Sequence, residues 1–214
     1  MSHSTRSRLR AQTASLPPSS SDGTRRRILE TALQLFASRG YHDTSIRDLA
    51  KALELQPSAL YAHFPSKEHV LAELVRIGHE AHHQALVAAL KEAGTTDPAE
   101  QVRALVRAHT RMHALHPQLA LVVNEEFYAL TPEMAAPALA LRQQSTLLLA
   151  EVIERGISQQ RFSPPHPRAT AAAISAMGVR LPYWYELDSG LGVDDLADIH
   201  AELALRMLGV RGRG

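Results

Sequence analysis

From Thr24 onward, apolar residues recur three and four positions apart along most of the chain, the spacing that places side chains on one face of an α-helix. Ile28, Leu29, Ala32, Leu35 and Phe36 form the first stripe, and Arg39 and Gly40 then supply a basic last turn and a left-handed cap. Thr44 or Ser45 can cap a short second helix that turns Ile46, Leu49, Ala50 and Leu53 inward. A third short helix opens around Pro57 and is expected to end near Phe64, because Pro65 disfavours helical geometry there. Ser66 then caps a long fourth helix reaching about Ala93, and Gly94 stops it. Further helices are predicted over residues 98–115, 117–129, 131–160, 167–185 and 193–208, with bends at Pro137 and Pro182. No stretch reads as a convincing strand, so the predicted fold class is all-α.

Composition narrows this picture. Of the 214 residues 45% are hydrophobic but only 5% aromatic, so the core must interlock many aliphatic side chains, helix on helix. The absence of cysteine excludes disulfides, thiolate metal sites and cysteine catalysis. No apolar run is long enough for a membrane span and none follows the N-terminal arginines as in a signal peptide, so a cytoplasmic protein with no membrane partner is expected.

The net charge is only +1, yet Arg6, Arg8, Arg10, Arg25, Arg26 and Arg27 all precede the first long apolar pattern. A nucleic-acid contact would therefore begin near the N-terminus, the alternative being a basic tail that only aids solubility. Residues 1–22 are rich in Ser, Arg and Pro, with nothing to offset the entropy of ordering, and read as a disordered basic arm. Residues 23–80 read as one domain and residues 81–210 as another.

Two short helices joined by Ala52-Leu53-Glu54-Leu55-Gln56, apolar on their inner sides, have the layout of a helix-turn-helix motif over about residues 45–64. The motif sits in a longer string: Arg27-Ile28-Leu29-Glu30-Thr31-Ala32, Leu35-Phe36-Ala37-Ser38-Arg39-Gly40-Tyr41, Thr44-Ser45-Ile46-Arg47-Asp48-Leu49-Ala50, and Leu60-Tyr61-Ala62-His63-Phe64-Pro65-Ser66-Lys67-Glu68. Over about residues 24–80 this string resembles the DNA-binding domain of the TetR family of transcriptional regulators. Two departures are Glu54, where the family usually places glycine at the turn, and Pro57 in the first turn of the recognition helix.

On a recognition helix this short, Gln56, Pro57, Ser58, Ala59 and Ala62 are the side chains able to reach base edges, with Gln56 suited to a bidentate contact with adenine. The resemblance implies phosphate contacts from Thr44, Tyr61, His63 and Lys67, which Ser45 and Arg47 are expected to join. The competing reading of Tyr61 and His63 is that they pack the small core beside Phe64.

The resemblance further implies a ligand-responsive regulator, a repressor that binds palindromic operator DNA as a homodimer and is released by a small, largely apolar effector. Its last two helices would form a four-helix bundle with a second subunit, through Ala172 and Ala176 on one and Leu196, Ile199, Leu203 and Met207 on the other. The C-terminal half is loosely similar to regulators of fatty-acid and steroid breakdown that answer to acyl-CoA thioesters. Such a ligand needs an apolar cleft and basic groups for its phosphates; Arg103, Arg107, Arg142 and Arg180 are candidates, with His109, His113, Phe127 and Trp184 completing the lining. Structural salt bridges are the alternative for each arginine.

Among 12 histidines, His79-His82-His83 and His109-His113-His116 have spacings that place pairs on one helical face, which brings in a metal-responsive regulator as an alternative. Helical histidine pairs are more often packing residues and no cysteine assists, so no metal site is assigned and no cofactor is expected; His109 and His113 are the first to test. A DNA-binding scaffold without ligand control is the other alternative. An enzyme finds no support, since there is no phosphate loop, nucleophile elbow or paired acid and base, and Glu125-Glu126 reads as helix surface.

Overall fold

The computed structural model describes residues 16–18, 23–187 and 189–210. The arginines at 6, 8 and 10 lie outside them, so the expected arm is not placed beyond Leu16–Pro18. Among the described residues there are nine α-helices and no strand: α1 (Gly23–Arg39), α2 (Ile46–Ala52), α3 (Pro57–Tyr61), α4 (Lys67–Ala93), α5 (Pro98–Leu115), α6 (Pro117–Glu125), α7 (Pro132–Ser158), α8 (Pro167–Val179) and α9 (Val193–Met207). The all-α class is as the periodicity indicated. Two compact units result, one from residues up to Ala81 with His116–Ala140, the other from His82–Leu115 with the chain from Leu141. The sequence alone drew one boundary near residue 80 and gave 116–140 to the C-terminal domain.

In the first unit, Ile28, Leu29, Leu33 and Phe36 of α1 are wholly buried, as are Leu49 of α2, Leu60 of α3 and Leu71 and Leu74 of α4. Helix α2 starts on a capping box: Ser45 Oγ accepts from the Asp48 amide at 3.1 Å while Asp48 Oδ2 accepts from the Ser45 amide at 2.8 Å. The turn into α3 places Glu54 at φ 57, the left-handed region in which any side chain is strained. Pro57 occupies the first turn of α3, where its missing N–H costs nothing. The helix ends at Tyr61, earlier than the expected Phe64, because the chain tightens and the Leu60 carbonyl accepts from both His63 and Phe64. Gly78 of α4 faces α6 so closely that a Cβ there would lie 2.5 Å from Val123. Ahead of α1, Leu16 is buried and the Arg26 guanidinium donates to the carbonyls of Leu16 and Pro17.

In the second unit the core gathers Leu86, Val102, Leu105, Val106, Val152, Ile153, Phe162, Ile174, Ala201, Ala204 and Leu205. Gly156 admits the Phe162 ring, which a Cβ would meet at 2.1 Å. Helix α9 lies along α5. Two predicted helices are shorter than expected. Helix α8 stops at Val179 instead of bending at Pro182, since Pro182 cannot donate and restricts Leu181; a 3-10 turn, Leu181–Tyr183, follows. The segment read as a helix to Ala129 ends as α6 at Glu125 and continues as a 3-10 turn, Phe127–Ala129.

Glu54→Gly is expected to stabilise the protein by about 1 kcal/mol, the left-handed strain less the added chain entropy of glycine, and so to raise the melting temperature of the unit by a few degrees. Thermal unfolding followed by circular dichroism checks it.

Candidate nucleic-acid interface

The surface of α2 and α3 opposite the core carries the residues expected to meet DNA. Arg47, Gln56, Ser58, Tyr61, Ala62 and His63 are exposed, and Pro57 and Ala59 half-buried, while Leu49, Leu53 and Leu60 point inward. Tyr61, at 52% exposure, and His63 are thus outside the core; Phe64 alone of that trio is buried. Gln56 begins α3 without using its side chain as a cap, which leaves the amide directed by nothing in the helix itself.

Two expected phosphate donors are engaged elsewhere. Thr44 is 1% exposed and its hydroxyl donates to the Gly40 carbonyl at 2.8 Å, so it neither caps α2 nor reaches a phosphate through its side chain. Lys67 extends its ammonium to the carbonyls of Tyr41 and Thr44, at 2.7 and 2.8 Å, and sits 4.0 Å from the centre of the Tyr41 ring. Burial pulls its pKa below the ordinary lysine value, with Asp43 and Glu126 opposing. Here Lys67 clamps the loop between α1 and α2. Ser45 is exposed, but its hydroxyl lies 2.5 Å from Asp48 Oδ2, a bond that lowers the Asp48 pKa. Sequence reasoning passed over Asp48, although its spacing from Ser45 was the available signal. Arg25, marked in the sequence only as part of the basic N-terminal run, donates to the His63 carbonyl at 3.0 Å, covers the Phe64 ring at 4.1 Å and pairs with Glu73.

In the second unit, the arginines suggested for a ligand are largely matched by acids of the same unit. Arg103 pairs with Glu100 and with Glu202, at 3.7 and 3.9 Å; Arg107 pairs with Asp198 and Arg111 with Asp194. Steps of four along α5 meet steps of minus four along α9, so the two helices run antiparallel with a ladder of ion pairs. Arg142 is exposed, and Arg180 is exposed with its guanidinium 3.8 Å from the Tyr183 ring centre. Trp184 is 53% exposed. Phe127 is buried in the first unit and is not part of this group.

His109 and His113 are brought together with His82, one ring nitrogen of each within 4.8 Å of the others. Of the residues expected at a subunit interface, Leu196 is instead core, 2% exposed beside Ala114, Leu181 and Tyr185; its position on α9 faces its own unit. Ala172 and Ala176 on α8, and Ile199, Leu203 and Met207 on α9, are exposed, the last three at 47%, 40% and 37%. No helix of the described residues is long and apolar enough to cross a membrane.

Residues 28–74 match the TetR family of bacterial regulatory proteins, and residues 95–208 match the tetracyclin repressor-like C-terminal domain. A crystal structure of a regulatory protein in the TetR family from Rhodococcus RHA1 superposes with a TM-score of 0.82 at 29% identity, covering 89% of this chain and all of that one. The transcriptional repressor KstR2 of Mycobacterium tuberculosis is 27% identical over 140 residues, 64% of this chain and 68% of that protein. The regulator YuxN of Bacillus subtilis is 46% identical over 48 residues, 22% of this chain, which spans only 16% of that protein.

Lys67→Met should destabilise the first unit by about 1–3 kcal/mol, the cost of leaving two carbonyls unmatched. Its effect on the salt dependence of DNA binding should be nil, whereas Arg47→Ala should reduce that slope by about one counterion per subunit; paired urea melts and salt titrations separate the two.

Burial lowers the pKa of both His109 and His200 below the ordinary 6.5. The unfolded chain then binds protons that the folded one refuses, so stability is full above about pH 6.5 and declines as pH falls from there toward the lowered values. Denaturant melts of the protein at about pH 7.5 and 5.5 should show the loss, and His200→Gln should shrink it.

Proposed function

Because this chain belongs to the TetR family of bacterial regulatory proteins, we propose that it is a ligand-responsive repressor that binds palindromic operator DNA as a homodimer in the cytoplasm. The observation that carries the DNA-binding part is the outward face of α3: Gln56, Ser58 and Tyr61 stand in solvent on a helix whose Leu60 anchors it to the core. Such a helix enters a major groove, where a glutamine can contact adenine in bidentate fashion and a serine can donate or accept.

Dimerisation is supported by the exposed apolar stripe Ile199, Leu203 and Met207, at steps of four along α9, with the small residues Ala172 and Ala176 on α8. Two subunits would present their recognition helices about 34–36 Å apart, one turn of DNA. Helix α4, continuous from Lys67 to Ala93, contributes residues to both compact units and is the covalent path by which an effector bound to the second unit would alter that separation. The effector need prefer the released state by only a few kcal/mol.

The effector is read as a small, largely apolar molecule, and an acyl-CoA thioester as the first class to try. The likeness to KstR2, described as a ketosteroid transcriptional regulator, supports a largely apolar effector. With Arg103 and Arg107 in the ladder, Arg142 and Arg180 are the cations that would meet phosphates. No catalytic role is assigned.

Selection of bound DNA from genomic fragments should return a palindrome, and Gln56→Ala should relax base preference at one position of each half-site, costing about 1–3 kcal/mol against the selected site. A panel of acyl-CoA thioesters and the matching free acids, added to the complex in an anisotropy assay, should release the DNA with the thioesters; release by neither overturns the effector class, and absence of a selected palindrome overturns the repressor reading.

A further inference from the structure

The second unit holds three imidazoles in a small space. His109 and His113 are one turn apart on α5, and His82 reaches them from α4; their ring centres are 4.4 Å (109–113), 5.1 Å (82–109) and 5.6 Å (82–113) apart. His109 Nε2 lies 2.9 Å from the Ser175 carbonyl, which can only accept, so that nitrogen carries the proton and Nδ1 of the neutral ring presents a lone pair. His113 Nδ1 lies 2.9 Å from the His109 carbonyl and donates to it, which makes Nε2 the nitrogen by which this ring would bind. His82 Nε2 faces His109 Nδ1 at 2.8 Å.

We propose that His82, His109 and His113 bind a divalent first-row transition-metal ion of the zinc class, with a fourth position open to water or a small ligand. Three histidines plus one exchangeable position is a recognised donor set for zinc, and imidazole nitrogens also suit nickel and copper. With bonds of about 2.0 Å at the tetrahedral angle, ligand nitrogens sit about 3.3 Å apart. The present spacings, 2.8 Å for one pair and all within 4.8 Å, reach that by rotamer adjustments of well under a residue's length.

The surroundings act as supports of the kind that orient metal-bound histidines. Backbone carbonyls of Ser175 and His109 fix two of the rings in the tautomer that faces the cluster. Gly178 of α8 closes on the His109 ring so tightly that a Cβ would lie 2.3 Å from Cδ2 and 2.4 Å from Nε2. His82 and His109 are half-buried, which leaves a route of entry, and the ion would arrive without a carboxylate in the cluster, as a dication on neutral ligands. The site does not depend on the effector reading, since it is tested without DNA.

The test is calorimetric titration of zinc chloride into the full chain stripped with a chelator. One ion per chain is expected, with a higher melting temperature in its presence. The double variant His82→Gln, His113→Gln should lose this binding while keeping its helical circular dichroism, Gly178→Ala should weaken it about 10–100-fold by displacing His109, and His42→Gln in the first unit should leave it unchanged. Zinc bound equally by the folded double variant, or no stoichiometric binding by the unaltered chain, overturns the proposal. Should the double variant fail to fold, X-ray absorption of the zinc-loaded native chain decides the matter: three imidazole nitrogens at about 2.0 Å support it, and a shell of oxygens alone overturns it.

Discussion

The antiparallel pairing of α5 with α9 is the constraint on which the second unit depends. Ala197, Ala201 and Ala204 of α9 are fully buried and lack bulk, so the helices approach closely enough for Val102, Leu105 and Val106 of α5 to join them in one apolar layer. Inside that contact Thr110, itself wholly buried, shares a hydrogen bond of 3.1 Å with His200. Outside it, the pairs of Arg103, Arg107 and Arg111 with Glu202, Asp198 and Asp194 set the register. Each such exposed pair contributes little energy, but a slip by one residue would break all three together.

Three consequences follow from this one pairing. It occupies the arginines that a phosphate-bearing ligand would otherwise find on α5. By taking one face of α9 it sends Ile199, Leu203 and Met207 outward, where water gains nothing from them and a second copy of the same stripe would. And by fixing the rotation of α5 about its own axis it turns His109 toward α8, which closes over that ring at Gly178.

What could be read from the sequence was whatever depends on neighbours along the chain. The nine helices, the capping role of Ser45 and Ser66, the stop at Gly94 and the outward face of α3 all follow from spacing and local chemistry, and the structure places them there. What depended on partners distant in sequence was not legible. Thr44 and Lys67 sit at positions where the family resemblance implied phosphate contacts, yet one hydroxyl finds Gly40 and one ammonium finds Tyr41 and Thr44. Leu196 shares a helix and an apolar character with Leu203, and only the packing against Leu181 and Tyr185 reveals that it faces inward. His82 was visible as part of a spaced triplet, but its meeting with His109, twenty-seven residues on, was not.

In the first unit local and distant forces together hold the short helix α3 in place. Helix α3 has five residues and cannot hold its own shape, since so short a helix is far below the length at which backbone bonds alone stabilise it. Its position is fixed instead by Leu60 in the core, by the strained turn at Glu54 and by the Lys67 clamp behind the loop. The side chains proposed to face DNA are thereby freed of structural duty. The proposed operator recognition by so small a surface calls for two copies, which places the weight of the proposal on the outward face of α9. Sedimentation equilibrium of the full chain, native and with Leu203→Glu, tests this most directly. The account predicts a dimer for the native chain and a helical monomer for the variant; a native monomer at micromolar concentration, or a variant that remains dimeric, would contradict it.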